Sequence, residues 1–195
     1  MSDASPPNTS EASPLLIQIG ARLSSLIGRL WVLVLVVGLT WYLVAGSAPP
    51  VELEDGGPAP DFTLESVEGP LVQLSDYRGG VVVLNLWATW CVTCKQQMPG
   101  FVQMQDEFAS QGVQFIGLSV DTSGMEVVRA FSAEQMSVNY PIVNSPRVAS
   151  QQYGTTRGVP RTYVIDQSGT IRYEHTGLLL PGDFRPVLEA VLASM

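Results

Sequence analysis

The first 51 residues form two segments with different hydrophobic patterns. Residues 1–14 (MSDASPPNTSEASP) are small and polar, with no apolar period. Residues 30–51 carry no charged side chain, and their core LWVLVLVVGLTWYLVAG approaches the roughly 20 apolar residues that a membrane-spanning helix needs. We therefore predict a largely disordered cytoplasmic tail over residues 1–29, a transmembrane anchor over 30–48, a linker over 49–57 and a folded domain over 58–195.

The charges on either side of the apolar run predict its orientation. They are Arg22 and Arg29 before the run, and Glu52, Glu54 and Asp55 after it. Basic residues are enriched on the cytoplasmic side of a membrane, so we expect the N-terminus in the cytoplasm and the domain outside it, on the periplasmic side. Two alternatives stay open. The small residues at 45–48 suit a signal-peptide cleavage site, although two prolines follow them, and a buried soluble helix is the other possibility.

Beyond the linker, short apolar runs alternate with amphipathic segments. Val81–Trp87 is a run without polar alternation, as in the middle of a sheet covered by helices on both faces. Further strands are predicted at 71–74, 113–120, 141–143, 161–166 and 170–175, and helices at 91–111, 125–136, 146–153 and from about 182. Alternating strands and helices closed by a hairpin predict an α/β sandwich with a mixed sheet.

Composition narrows the functional classes. The net charge is −8 and no basic cluster is present, which argues against nucleic-acid binding. Only two cysteines occur, Cys91 and Cys94, so the chain has neither a framework of structural disulfides nor a four-thiolate zinc site.

The cysteine pair lies where the strand Val81–Trp87 gives way to a helix. Residues three apart on the first helical turn are neighbours, within the separation that a disulfide requires. The positive end of the helix dipole favours a thiolate at Cys91, and a thiolate is the nucleophilic form of cysteine. We expect Cys91 to be open to other molecules, and a purely structural disulfide is the alternative.

The motifs around this pair resemble a known family. They are the segment WATWCVTCK at 87–95, Pro99, the Gly158-Val159-Pro160 sequence before a hairpin, and the Ala59-Pro60-Asp61-Phe62 opening. Together they resemble the membrane-anchored thioredoxin-like proteins TlpA, ResA and CcmG over about residues 57–195. The resemblance implies a thioredoxin-like sandwich with a central mixed sheet, an extra helix and strand near 124–144, and one N-terminal transmembrane helix.

The resemblance also implies roles for individual residues. Cys91 matches the attacking cysteine and Cys94 the resolving one. Trp90 matches an exposed ring beside the nucleophile, whereas Trp87 is expected in the core. Val159 and Pro160 match a client-binding loop whose peptide bond is cis.

The implied function is that of a membrane-anchored extracytoplasmic thiol–disulfide oxidoreductase that reduces disulfides in client proteins. Apocytochrome c and copper-site proteins are the implied clients, and a membrane electron donor of the DsbD or CcdA type is the implied source of electrons. The resemblance implies no cofactor beyond the redox-active Cys91–Cys94 disulfide and no bound metal.

Three positions depart from the family pattern, Asn85, Gln97 and Arg161. Asn85 and Gln97 stand where relatives carry a carboxylate, and neither can take a proton from Cys94 at neutral pH. Arg161, together with Lys95 and Arg157, adds positive charge near the cysteines, which we expect to favour the Cys91 thiolate. A surface ion pair is the alternative for Arg161.

Other functions remain as alternatives. The protein could instead form disulfides, because a strongly stabilised Cys91 thiolate makes a pair more oxidising. A copper metallochaperone would bind Cu(I) through the pair and His175, the only histidine. A peroxidase would need a distant resolving cysteine, which the chain lacks. The acids Glu65, Asp121 and Asp166 are expected in turns or at the surface.

Overall fold

A computed structural model describes residues 29–40, 55–135, 137–154 and 158–195. The chain divides into two units, Met1–Pro50 and Val51–Met195. In the first unit, residues 29–40 form helix α1. None of the helices within the described residues has both the length and the apolar character to cross a membrane. The predicted tail up to residue 28, the anchor from residue 41 and the linker up to residue 54 lie outside the described residues.

The second unit is built on a five-stranded mixed sheet. The strands of this unit are β1 Thr63–Glu65, β2 Leu71–Gln73, β3 Val81–Trp87, β4 Val113–Ser119, β5 Ile142–Asn144, β6 Arg161–Ile165 and β7 Ile171–Thr176. The sheet has the order β5-β4-β3-β6-β7, while β1 and β2 form a separate antiparallel hairpin. Strands β3, β4 and β5 are parallel, and β6 is antiparallel to both of its neighbours. The predicted mixed sheet is therefore confirmed.

Helices cover both faces of the sheet. In the described part of this unit they are α2 Val92–Phe108, α3 Met125–Gln135, α4 Pro146–Gln152 and α5 Pro181–Ala193. Helix α2 continues as a 3₁₀ turn, Ala109–Gln111, and stops at Gly112, whose φ of 79° lies in the left-handed region that favours glycine. The predicted end of this helix at residue 111 is confirmed. Helix α3 and strand β5 form the predicted extra helix and strand.

The side chains of β3 alternate between two core clusters. One cluster contains Val81, Val83 and Trp87 together with residues of α2, α3 and α5. The other contains Val82, Leu84 and Leu86 together with residues of the β1–β2 hairpin and α4. Because both faces of β3 are buried, its sequence is apolar apart from Asn85.

One edge of the sheet collects three chain segments. Strands β3 and β4 are parallel, with Trp87 paired to Ser119, so the segments after both strands leave at the same edge. Strand β6 begins there as well, because Arg161 pairs with Leu86 near the end of β3. The sheet thus brings the loop before Cys91, the turn after β4 and the loop before β6 together.

Candidate active site

Cys91 is the N-cap residue of α2. Its backbone is extended, and its sulfur accepts a hydrogen bond from the Cys94 N–H at 3.1 Å. Its own N–H donates to the Ala88 carbonyl at 3.1 Å. An N-cap side chain faces the free N–H groups and the positive end of the helix dipole. This position therefore favours a thiolate at Cys91 once the pair is reduced.

The two cysteines are joined in a disulfide, with their Cα atoms 5.3 Å apart. Cys91 keeps 5% of its surface exposed, and Cys94 keeps 0%. The exposure of Cys91 is smaller than the sequence led us to expect, because it packs into the core cluster that also contains Trp87 and Ala88. Of the two cysteines, Cys91 is therefore the one that keeps exposed surface.

A groove of about 370 Å³ lies at Trp90, the residue before Cys91. Its lining residues come from four segments and are Trp90, Val120, Thr122, Pro146, Ser150, Gly158 and Val159. Trp90 and Val159, two of the predicted client-binding residues, therefore share one cavity. The sequence did not indicate the walls from α4 and from the end of β4, since only the folded sheet brings these segments together.

The predicted client-binding residues have different exposures. Trp90 is 67% exposed, as expected for a ring beside the nucleophile, while Trp87 is fully buried in the core. The peptide bond between Val159 and Pro160 is cis. Pro160 itself is buried, and its carbonyl accepts a hydrogen bond from the Gly177 N–H at 2.9 Å. Binding of a client by these residues stays a prediction.

Arg161 holds the loop that precedes β6. Its guanidinium pairs with the Glu174 carboxylate and donates hydrogen bonds to the carbonyls of Tyr153 and Gly154. Of the two expectations for Arg161, the ion pair is the one found, but the side chain is buried rather than at the surface. Because Glu174 balances its charge, Arg161 offers the cysteines less positive charge than the sequence suggested, and its tuning role stays a prediction.

Tyr153 reinforces this loop from the end of α4. Burial raises the pKa of its phenol well above the usual value, so the hydroxyl stays protonated. The hydroxyl donates to the Pro60 carbonyl at 2.5 Å, and the Tyr153 carbonyl accepts a hydrogen bond from the Tyr163 hydroxyl at 2.6 Å. Tyr153, at the end of α4, is thus tied to both the start of the domain and strand β6.

Lys95 lies on the exposed side of α2, one residue after Cys94. Its Nζ lies 4.9 Å from the centroid of the Phe131 ring, a cation–π contact. It also lines a second cavity of about 310 Å³ between α2 and α3, together with Met98 and Phe131. Lys95 therefore does not line the groove beside Cys91, and its effect on the thiolate stays a prediction.

A cluster of uncharged polar side chains lies between α2 and the sheet. Gln97 donates through Nε2 to the Asn85 Oδ1 at 3.1 Å and accepts from the Leu179 N–H through Oε1 at 2.8 Å. Thr162 also contacts Asn85, at 3.4 Å. All three side chains are buried. The two positions at which the family resemblance implies carboxylates thus belong to a neutral network between the sheet and the helix that carries Cys94.

Asp121 lies at the turn after β4, one of the two places expected for it, but it is 2% exposed and therefore not at the surface. Its carboxylate accepts hydrogen bonds from the Thr89 N–H and hydroxyl at 2.9 and 2.7 Å, and from the Ser119 hydroxyl at 2.7 Å. Glu65 is exposed and Asp166 lies in the β6–β7 turn, both as expected. The sequence offered one signal for Asp121, its place directly after a buried strand.

His175 stacks on Tyr173, with ring centroids 6.3 Å apart. Within the residues that the structure describes, no cluster of three or more His, Cys, Asp or Glu side chains is arranged to hold a metal ion.

Comparison with known proteins identifies the family. The AhpC/TSA family model matches residues 56–174, more than half of the chain. The chain belongs to the AhpC/TSA family. Thioredoxin-like protein YneN of Bacillus subtilis is 32% identical over 160 residues, covering 80% of this chain and 93% of YneN. Thiol-disulfide oxidoreductase ResA of Bacillus subtilis is 33% identical over 153 residues, covering 78% of this chain and 83% of ResA.

A solved structure supports the same assignment. A thiol:disulfide interchange protein of the thioredoxin family from Chlorobium tepidum matches with a TM-score of 0.62 and 28% identity, covering 75% of this chain and 99% of that one. The α/β domain of this AhpC/TSA member is therefore thioredoxin-like, as the sequence predicted. With these homologues and this fold, the protein is an enzyme, a thiol–disulfide oxidoreductase.

Proposed function

We propose that the protein reduces disulfides in client proteins by dithiol–disulfide exchange. The Cys91 thiolate attacks one sulfur of the client disulfide, and the other client sulfur leaves as a thiolate that takes a proton. Cys94 loses its proton and attacks the Cys91 sulfur of the mixed disulfide. The client leaves as a dithiol, the Cys91–Cys94 disulfide forms, and two electrons have passed to the client.

One observation carries this proposal. The Cys91–Cys94 disulfide caps α2, and only its Cys91 end keeps exposed surface, next to the groove that Trp90 and Val159 share. In the same geometry, the Cys94 N–H lies against the Cys91 sulfur and stabilises Cys91 as the attacking thiolate once the pair is reduced. A disulfide with a purely structural role would need neither feature.

The groove suggests the chemistry of the client. Its described lining residues carry no charge, and their surface is a mixture of apolar and hydroxyl groups. We propose clients whose cysteines lie in extended, uncharged segments, among them apocytochrome c and copper-site proteins, as the family resemblance implies. A membrane electron donor of the DsbD or CcdA type would return the pair to the dithiol state.

Client capture tests the proposal. The full chain with Cys94→Ser stops the reaction at the mixed disulfide on Cys91, and mass spectrometry identifies the attached protein. The matched control is Cys91→Ser, which retains a buried thiol and should capture nothing. We expect clients with Cys-x-x-Cys-His segments or copper sites. Capture of many unrelated secreted proteins would contradict a specific reductant and favour disulfide formation.

The reduction potential tests the direction of electron flow. A reductant should have a potential near that of thioredoxin, about −270 mV, and an oxidising protein one near about −120 mV. Equilibration of the full chain with glutathione or dithiothreitol buffers measures it. A value close to the second figure would overturn the reducing role.

We further propose that the N-terminal segment anchors the enzyme with its cysteines outside the cytoplasm. The support is the uncharged run of residues 30–51 and the charges that flank it. The chain has no cysteine outside the pair, so a membrane-impermeant maleimide reports on location directly in the Cys94→Ser variant. We expect labelling in intact cells under reducing conditions, and labelling only after permeabilisation would contradict the proposal.

Two other functions predict different results. A copper metallochaperone would bind Cu(I) at the reduced pair, with weaker binding in His175→Ala, in an anaerobic titration. A peroxidase would consume hydrogen peroxide at a rate that depends on Cys91. We expect neither a stoichiometric Cu(I) complex that depends on His175 nor rapid peroxide turnover.

A further inference from the structure

The carboxylate of Asp121 links the end of β4 to the loop that carries Cys91. Oδ2 accepts from the Thr89 N–H at 2.9 Å, and Oδ1 accepts from the Thr89 hydroxyl at 2.7 Å. Thr89 lies two residues before Cys91 and next to Trp90. The Asp121 side chain thus binds both the backbone N–H and the hydroxyl of Thr89, the central residue of the WATWC segment.

Asp121 is itself held firmly. The Ser119 hydroxyl donates to its Oδ2 at 2.7 Å, and the Asp121 N–H donates to that same hydroxyl at 3.1 Å. Ser119 is fully buried in β4. A neighbouring link, from the Val120 N–H to the Trp87 carbonyl at 2.9 Å, joins the two chain segments just before this point.

Because Asp121 is buried, its carboxylate would destabilise the fold if it did not accept these hydrogen bonds. Asp121 is 2% exposed, and it forms no ion pair with any residue that the structure describes. A buried carboxylate needs such donors in place of water, and without the carboxylate the Thr89 N–H would lose its partner. The contacts of Asp121 are therefore directed at the loop rather than at a balancing cation.

We propose that Asp121 is a positioning residue for Cys91. By fixing Thr89, its carboxylate sets where the following N-cap residue begins α2, and so keeps the Cys91 sulfur against the Cys94 N–H and beside the groove. Asp121 does not touch the reacting sulfurs and acts only through Thr89. This role rests on Cys91 being the reactive cysteine of the proposed function.

The proposal separates geometry from charge. In Asp121→Asn, the amide oxygen can accept from the Thr89 N–H and the Ser119 hydroxyl, while the amide N–H donates to the Thr89 oxygen. The variant thus loses the charge and keeps the links. Asp121→Ala loses both. A positioning role requires the two variants to differ, whereas a purely electrostatic role requires them to agree.

The readout is the alkylation of Cys91 by iodoacetamide in the reduced full chain with Cys94→Ser, measured across a range of pH. It requires no client, so its outcome is independent of whether the proposed reductase activity is correct. We expect Asp121→Ala to slow alkylation about tenfold at neutral pH and to move its inflection to higher pH. Asp121→Asn should stay within about threefold of the parent.

Substitutions of Thr89 give a second series of variants, in which the Asp121 carboxylate is retained. Thr89→Val removes the hydroxyl contact and should slow alkylation, while Thr89→Ser keeps the contact and should match the parent. This series keeps the test decisive if Asp121→Ala fails to fold. The control is Asp166→Asn, which removes another hydrogen-bonded carboxylate at the opposite end of β6 and should leave the rate and pH dependence of Cys91 alkylation unchanged.

Urea unfolding at each pH checks that the proteins are folded during the assay. Alkylation of Asp121→Ala or Thr89→Val at the parent rate would overturn the proposal. So would an Asp121→Asn variant as strongly affected as Asp121→Ala, because that result would assign the effect to charge.

Discussion

The buried side chain of Gln97 forms hydrogen bonds with two different partners. Its oxygen accepts from the Leu179 N–H, and its nitrogen donates to Asn85. A carboxylate could keep the first contact, but it could keep the second only when protonated. The amide therefore allows this part of the core to stay neutral, and no buried carboxylate of this network assists the loss of the Cys94 proton.

Gln97→Glu should introduce a new pH dependence of stability. Burial raises the pKa of the new carboxyl above the value of about 4.3 that it has in the unfolded chain. Stability should therefore be close to that of the parent below about pH 4 and fall as pH rises, with a loss of about 2–4 kcal/mol by pH 8. Urea unfolding at several pH values measures the difference.

The control for this experiment is Gln96→Glu, because Gln96 is the exposed neighbour on the same helix. A difference between Gln97→Glu and the parent that stays constant from pH 4 to pH 8 would contradict a buried carboxyl at this position.

Individual residues could be predicted where their chemistry is local. Cys91 and Cys94 are adjacent on one helical turn, so spacing alone was enough to place them together. Asp121 and Arg161 could not be assigned this way, since their partners lie on other segments and depend on the pairing of β3 with β4 and β6. Patterns within a short stretch of sequence carry no information on how these strands pair.

The β6–β7 hairpin turns around Asp166. Its Oδ1 accepts from the Ser168 N–H and hydroxyl at 2.9 and 2.6 Å, and from the Thr170 N–H at 3.0 Å. Burial alone would raise the pKa of Asp166, but these hydrogen bonds and the charge of Arg172 outweigh it and hold the pKa below its usual value. The ionised carboxylate therefore stabilises the turn.

Asp166→Asn should remove part of the acid sensitivity of the domain. The native pKa lies below the unfolded value of about 3.9, so the carboxylate stabilises the fold above about pH 4, and this contribution is lost as pH falls through the native pKa. We expect the variant to be less stable than the parent at pH 6 and the gap to narrow towards pH 2. Chemical unfolding at each pH measures this gap.

Ser168→Ala offers a graded comparison, because it keeps the charge of Asp166 and removes only the hydroxyl donor. It should show a smaller gap that narrows in the same pH range. A gap for Asp166→Asn that does not change with pH would contradict the stabilising role of the ionised form.

Helices and long strands were easier to predict than short elements. The expected helices at 91–111 and 125–136 correspond closely to α2 with its 3₁₀ extension and to α3, because periodicity and Gly112 mark them. Strand β5 has only three residues and starts one residue later than expected. Its position depends on pairing with β4, and three residues are too few to show a pattern.

At the scale of the whole molecule, the oxidised and reduced forms should differ in stability. For a reductant, the disulfide is favoured more in the folded protein than in the unfolded chain, so the oxidised form is the more stable one. Loop closure over so short a segment gives a difference of about 2 kcal/mol. Urea unfolding with and without dithiothreitol measures it.

The double variant Cys91→Ser/Cys94→Ser is the control, and dithiothreitol should leave its unfolding unchanged. A reduced form more stable than the oxidised one would contradict the reducing direction and indicate a disulfide-forming protein.

The order of the strands was beyond what the hydrophobic pattern could give. Alternation predicted helices packed on a mixed sheet, but the placement of β3 between β4 and β6 follows from pairing across more than 70 residues. The family resemblance implied a central mixed sheet, and the strand order itself comes from the structure. The pattern did identify β3 as central, since a strand buried on both faces needs an apolar sequence.

Arg161 has a consequence for which proteins this enzyme can serve. Its guanidinium links the end of α4 to β6. This link restricts the movement of the groove wall that α4 forms. A client protein must therefore change its own conformation to fit the groove. We predict that polypeptides not yet folded around their cysteines can do so, and that folded domains with recessed disulfides cannot. The enzyme would then leave the disulfides of folded proteins intact and reduce those of proteins that are still folding.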